Sequence, residues 1–155
     1  MAIKTPASLK HEHDELHSEL VAATKAGGKT GAAAEAVARA LHPHFVKEEE
    51  YALPPLGLLT LLAEGKLPPD RDAVIAMTER LRKDLGHMLH EHKAIVIELH
   101  KLMEAAKSEN KREYINFAEK LKLHAQTEEE VLYPSAILIG EYLKLKTGKK
   151  AGQPT

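Results

Sequence analysis

Apolar residues recur along most of the chain at spacings of three, four and seven, the period of an amphipathic helix rather than the alternation of a strand. A first stripe of Leu9, Leu16, Leu20 and Ala23 follows Thr5-Pro6, a pair suited to cap and open a helix, and ends at Ala26-Gly27-Gly28. After a loop to about Gly31, a second helix from Ala32 carries Val37, Ala40, Leu41 and Phe45 and stops at Pro54-Pro55. The apolar segment from Leu56 to Pro69, broken at Gly65, predicts one short helix laid across the others. Asp70 then caps a long helical pattern to about Lys107, with Gly86 as the place for a bend. A fourth helix is expected from about Lys111 to Lys146, with Pro134 as a kink or break near its middle. The predicted fold is all-α, an up-down four-helix bundle with a short connecting helix between helices 2 and 3. It forms one domain over residues 1–147, and a disordered tail is expected over 148–155.

The chain also repeats itself. Glu12-His13 is followed by Glu19-Leu20, and Glu91-His92 by Glu98-Leu99, with identical internal spacing. His44 precedes Glu48-Glu49-Glu50 and Pro54 just as His124 precedes Glu128-Glu129-Glu130 and Pro134. The two offsets, His13 to His92 and His44 to His124, differ by a single residue, so a helical hairpin occurs twice. Helix 1 then corresponds to helix 3 and helix 2 to helix 4, and pseudo-twofold packing brings four histidines to one level.

Those histidines lie on the apolar stripes. Around His92 the same-face positions are Leu85, Met88, Leu89, Ile95, Val96, Leu99, Leu102 and Met103. Around His124 they are Phe117, Leu121, Glu128, Val131 and Leu132; around His44, Val37, Ala40, Leu41, Glu48 and Tyr51. His13 sits between Leu9 and Leu16. Two carboxylates, Glu48 and Glu128, therefore turn inward with four imidazoles, and no Lys or Arg lies close to them on the inward stripes. An unpaired carboxylate in an apolar core costs several kcal/mol, and a metal ion is the better compensation. Each His-x-x-x-Glu pair is one helical turn apart, which lets both side chains converge on one ion. Inward Glu and His on facing helices are a known bundle-core solution for iron and manganese. The candidate ligands are His13, His44, Glu48, His92, His124 and Glu128. His17, one turn after His13, is a candidate fifth ligand or outer partner. Tyr51 reads as core filler within reach of the pocket. His11, His42, His87, His90 and His100 read as solvated, and the later glutamates of each run as outward residues or as groups that orient their neighbours.

Composition narrows the chemistry further. Among 155 residues there are ten histidines and no cysteine, which removes disulfides, thiolate zinc sites, iron-sulfur ligation and thiol catalysis and leaves nitrogen and oxygen donors. Hydrophobic residues at 43% and charged residues at 29% describe an ordinary globular chain. A net charge of -1, with the two signs interleaved, provides no electrostatic footprint for nucleic acid. No apolar run is long enough to span a bilayer and the start has no signal-peptide core, so no membrane partner and a cytoplasmic location are expected.

With these residues in place, the chain from about Leu9 to Leu143 resembles the hemerythrin-like (HHE cation-binding) domain family. The family's order is an inward His, His-x-x-x-Glu, an inward His and His-x-x-x-Glu on successive helices, matched here by His13, His44 with Glu48, His92, and His124 with Glu128. The resemblance implies a non-haem di-iron centre bridged by the glutamates, and oxygen, peroxide or nitric oxide as small ligands. The oxygen-carrying members have five histidines and a His-x-x-x-His pair on helix 3. Here Met88 and Val96 flank His92, which argues against reversible oxygen carriage. Four nitrogens and two oxygens also complete one octahedron, so a single six-coordinate ion stands beside two bridged ions, with zinc, manganese or cobalt as substitutes. Sensing, storing or binding iron, oxygen or nitric oxide is the expected function. The alternatives are a redox enzyme acting on peroxide or nitric oxide, an iron donor for iron-sulfur repair, and a structural metal site. Similar repair proteins carry a cysteine-bearing N-terminal segment that this sequence lacks.

Overall fold

The computed structural model describes residues 3–148, and no strand occurs among them. The helices are α1 (Ala7–Thr24), α2 (Gly28–Lys47), the short α3 (Leu59–Ala63), α4 (Arg71–Ser108), α5 (Arg112–Thr127) and α6 (Tyr133–Lys146). A π-helical turn, Glu48–Ala52, prolongs α2, and a second, Glu128–Leu132, joins α5 to α6 without a gap. The long segments thus make four helical columns. Column α4 packs against α2 and against α5 and α6, while α1 packs against α2 and α5, so the four enclose a common interior as a helical bundle. The connecting segment is a 3-10 turn, Pro54–Leu58, running into α3, rather than one helix. The tail expected at the C-terminus lies, beyond Gly148, outside the described residues. No helix among them is long and apolar enough to cross a membrane.

Helix α2 begins at Gly28, earlier than the alanine-rich pattern from Ala32 suggests. The cause is a cap supplied by a residue distant in sequence. Glu109, at the C-terminal end of α4, accepts hydrogen bonds from the backbone N–H of Lys29 (3.1 Å) and Thr30 (2.8 Å) and from the Thr30 hydroxyl (2.6 Å). These are donors that the first turn of a helix otherwise leaves unpaired. Gly28 has a positive φ of 59°, and a Cβ there would run into the Glu109 carboxylate, so glycine makes room for the cap. Asp70 precedes α4 as expected but makes no side-chain cap bond, and α4 is helical throughout, Gly86 included.

The two prolines after the glutamate runs act differently: Pro54 ends the second column, as expected, and opens the 3-10 turn, whereas Pro134 lies within the continuous fourth column. Each follows a π turn in which a backbone bond spans one residue more than in an α-helix: Leu53 N–H donates to the Glu48 carbonyl (2.9 Å), and Tyr133 N–H to the Glu128 carbonyl. The wider turn accommodates a residue that lacks an N–H and whose ring would otherwise strike the preceding turn. It also advances the helical phase. Val131, expected inside, is therefore 52% exposed, and Tyr133 is buried instead.

Two apolar clusters fill the interior. One is built around Leu16, Leu20, Val37, Leu41, Phe45, Ile95, Leu99, Phe117 and Leu121, the other around Tyr51, Leu53, Leu56, Val74, Ile75, Leu81, Met88, Tyr133 and Ile139. Along α4 the change from one cluster to the other falls between Met88 and Ile95, and His92 stands between them.

The three bonds to Glu109 hold its carboxyl at about 2, below the ordinary 4.5. A depressed folded-state value means that its stabilisation is complete above the ordinary range and disappears as pH falls towards 2. Glu109→Ala is expected to lower the thermal midpoint by a few degrees at neutral pH. Urea unfolding of parent and variant between pH 7 and 2 should show the gap closing as the pH falls; a constant gap would contradict the capping role.

Candidate metal centre

All six predicted ligands are buried at one level of the bundle. His13 comes from α1, His44 from α2, Glu48 from the first π turn, His92 from α4, His124 from α5 and Glu128 from the second π turn. Their donor atoms form two sets: His44, Glu48, His92 and Glu128 in one, His13, His124 and Glu128 in the other. Glu128 belongs to both. Its Oε1 lies 3.3 Å from His92 Nε2, and its Oε2 lies 3.2 Å from His124 Nε2 and 3.5 Å from His13 Nε2. On the other side, Glu48 Oε1 is 3.4 Å from His44 Nε2. His13 Nε2 and His124 Nε2 are 3.0 Å apart. Two nitrogens bound at right angles to one ion, each about 2.1 Å from it, are separated by about 3 Å, so this pair already has the spacing of neighbouring ligands.

The electrostatics show what the cluster lacks. Burial pushes the Glu48 carboxyl well above the usual carboxylate range, and the adjacent Glu128 charge adds to this. Burial also opposes ionising Glu128, but the adjacent Glu48 carboxyl and the imidazoles of His124, His13 and His92 around it outweigh this and hold that carboxyl well below the usual range. The two carboxyls are thus pushed in opposite directions, Glu48 towards its neutral form and Glu128 towards its charged form. Three buried polar atoms, Glu48 Oε1, Glu128 Oε2 and His13 Nδ1, have no hydrogen-bond partner. Among the described residues no basic side chain is paired with these carboxyls: the buried Lys144 pairs with Glu79 and Glu141, and Lys47 with the outer Glu91. A cation among these imidazole and carboxylate donors supplies the missing charge, so the residues fit a bound metal ion.

An outer ring of carboxylates orients the imidazoles. His44 Nδ1–H donates to Glu91 (3.0 Å), His92 Nδ1–H to Glu129 (3.1 Å), and His124 Nδ1–H to Glu12. Each bond leaves Nε2 directed at the centre, the arrangement common to metal-binding histidines. Burial lowers the pKa of His44 despite Glu91, keeping it neutral and able to bind metal. For His124, burial is outweighed by Glu128 and Glu12, which raise it.

Tyr133, assigned no role from the sequence, is the most deeply integrated additional residue. Its hydroxyl donates to Glu48 Oε2 (2.9 Å) and lies 3.1 Å from His44 Nε2 and 3.2 Å from His92 Nε2. Burial first, then the Glu48 and Glu128 charges, push its phenol far above the ordinary tyrosine value, so it keeps its proton. Tyr51, the tyrosine within reach on the sequence pattern, instead donates to Asp84 (2.8 Å) beneath the Arg80 guanidinium. His17 is exposed and joins neither donor set, because the inward face of α1 runs through His13, Leu16, Leu20 and Ala23 and leaves His17 beside it. A sign of Tyr133 was available in the repeat, where it takes the place of Leu53 directly before the proline. The outer partners were marked as well, by the Glu-His pairs at Glu12-His13 and Glu91-His92.

Comparison with protein-family models, characterised proteins and solved structures finds no match. The chemistry of the site therefore rests on its geometry.

Two substitutions separate a metal ligand from a structural carboxyl. Because burial favours the neutral form of Glu48, Glu48→Gln is expected to leave thermal stability in chelator unchanged or higher. Metal affinity in the same variant should fall by more than the about ten- to hundredfold typical of losing an outer partner. Tyr133→Phe removes the donor to Glu48 and should destabilise the bundle by about 1–3 kcal/mol in urea unfolding; a neutral result would show that the hydroxyl is dispensable.

Proposed function

We propose that this chain is a hemerythrin-like non-haem iron protein, with its columns in the up-down order of that family. Its function is to bind iron at the bundle core and there to sense, store or bind a small ligand such as oxygen or nitric oxide. The observation that carries this reading is the division of six buried donors into two sets with Glu128 in common, which favours two bridged ions over one six-coordinate ion. A mixture of imidazole and carboxylate on facing helices suits iron.

His44, Glu48 and His92 would hold one ion, His13 and His124 the other, and Glu128 would bridge. Bound iron supplies redox activity and an affinity for small oxygen and nitrogen ligands. The chain's own residues set the terms of access. The His13–His124 half has fewer protein donors, so more of its positions are left for an outside ligand. In the other half the Tyr133 hydroxyl retains its proton and donates it to Glu48, a bond that an incoming ligand would have to displace. That hydroxyl supports the second reading, an enzyme consuming peroxide or nitric oxide, because such turnover needs a positioned proton.

The test is metal analysis of the purified protein together with its absorption spectrum. Two irons per chain are expected, with near-complete loss of metal in His44→Ala and His124→Ala and a lower thermal midpoint after chelation. Protein from iron-replete cells that contains no metal, and whose stability chelators do not change, would refute the proposal. Sustained peroxide consumption that ceases on metal removal would move the assignment to the enzyme.

A further inference from the structure

The outer carboxylates obey the twofold relation of the two hairpins. Exchanging the hairpins carries His44 onto His124 and Glu91 onto Glu12, and both bonds, His44 to Glu91 and His124 to Glu12, are present. The same exchange carries His92 onto His13 and Glu129 onto Glu49. The first of these pairs is present at 3.1 Å. The second is the gap in the pattern: His13 is 2% exposed and its Nδ1 has no partner.

Three further observations converge on Glu49. It follows Glu48 in its π turn as Glu129 follows Glu128, so the backbone places it at the matching position on the rim. It lines the same hollow of about 220 Å³, between α1 and α2, that His13 lines, together with Asp14, His17, His42 and Phe45. It makes no hydrogen bond or ion pair of its own among the described residues, and the nearby Lys10 is taken by Asp14 at 2.9 Å. His13 Nε2 already faces His124 and Glu128. Its other ring nitrogen is thus the one available for an outer partner.

We propose that Glu49 is the fourth outer carboxylate, a positioning residue that accepts a hydrogen bond from His13 Nδ1–H and fixes the tautomer in which Nε2 binds metal. The assignment rests on the metal reading above and adds to it the residue that orients the half with fewest protein donors. There, the orientation of each imidazole matters most, because Phe45 stacks on only one face of His13 (4.6 Å between ring centroids) and cannot select a tautomer.

The experiment compares the parent with Glu49→Ala, Glu49→Gln and, as a control for charge on the same rim, Glu50→Ala, whose carboxylate lies 3.6 Å from Arg80. Zinc affinity is measured by competition with a chelator, and the ring nitrogens of His13 are followed by long-range proton–nitrogen NMR in the zinc-loaded protein. Glu49→Ala should weaken zinc binding about ten- to hundredfold and remove the protected Nδ1 proton of His13. Glu49→Gln, whose amide oxygen still accepts, should restore the proton signal and much of the affinity, and Glu50→Ala should match the parent. A parent that binds zinc while Glu49→Ala binds it equally well, with the His13 proton intact, overturns the role of Glu49 and leaves the metal reading standing. A parent that takes up no metal overturns both.

Discussion

The structure is organised around a polar layer inside an apolar bundle. Four imidazoles and two carboxyls separate the cluster of Leu16, Phe45 and Leu99 from that of Leu53, Ile75 and Met88. Apolar side chains at these six positions would make one continuous core, whereas a buried charge must be offset by a partner. The bundle offsets it only in part. Burial pushes Glu48 towards its neutral form, three imidazoles surround Glu128, and Glu48 Oε1 and Glu128 Oε2 still lack donors. Local departures from an otherwise consistent pattern are where function is expected, and here the departure is a complete layer drawn from all four columns.

The π turns connect this layer to the backbone. Both begin at the inward glutamate and both end just before a proline, so the feature that would interrupt a helix also places the carboxyl. Inserting a residue directly after the ligand lets the preceding α-helix keep its His on the inward stripe while the following one restarts in a new phase. In the fourth column the new phase brings Tyr133 under the layer. In the second it brings Leu53 to the matching place. The hairpins thus share one backbone device and differ in the side chain it delivers.

Sequence reasoning succeeded where helices are regular. The three-and-four spacing located all six buried donors, since the histidines and first glutamates lie on uninterrupted α-helix or at its immediate end. It failed one turn later. Extending the same period through Glu128 put Val131 inside and passed over Tyr133, because periodicity assumes the geometry that a proline-terminated π turn changes. The early start of α2 was illegible for another reason: its cap, Glu109, is distant in sequence, and only the packed bundle brings the two together. The outer carboxylates lie between these cases. The Glu-His pairs were visible as a repeat, yet each glutamate serves a histidine on a different column, a relation that no helical wheel can display.

A duplicated hairpin also makes its own asymmetries informative. Where two halves share ligand type, spacing and backbone irregularity, a difference between them is not required by the fold. One half of the layer has four donors and the Tyr133 hydroxyl against it; the other has three, with the stacked Phe45 ring as its neighbour. The first is hemmed in by polar groups that already bond to each other, so an incoming ligand there must displace a hydrogen bond. The second has an unpartnered imidazole nitrogen beside a hollow between α1 and α2. The two halves of the layer thus differ in what surrounds them: one is closed by polar groups that bond to each other beneath Tyr133, and the other borders a hollow at the rim of the bundle.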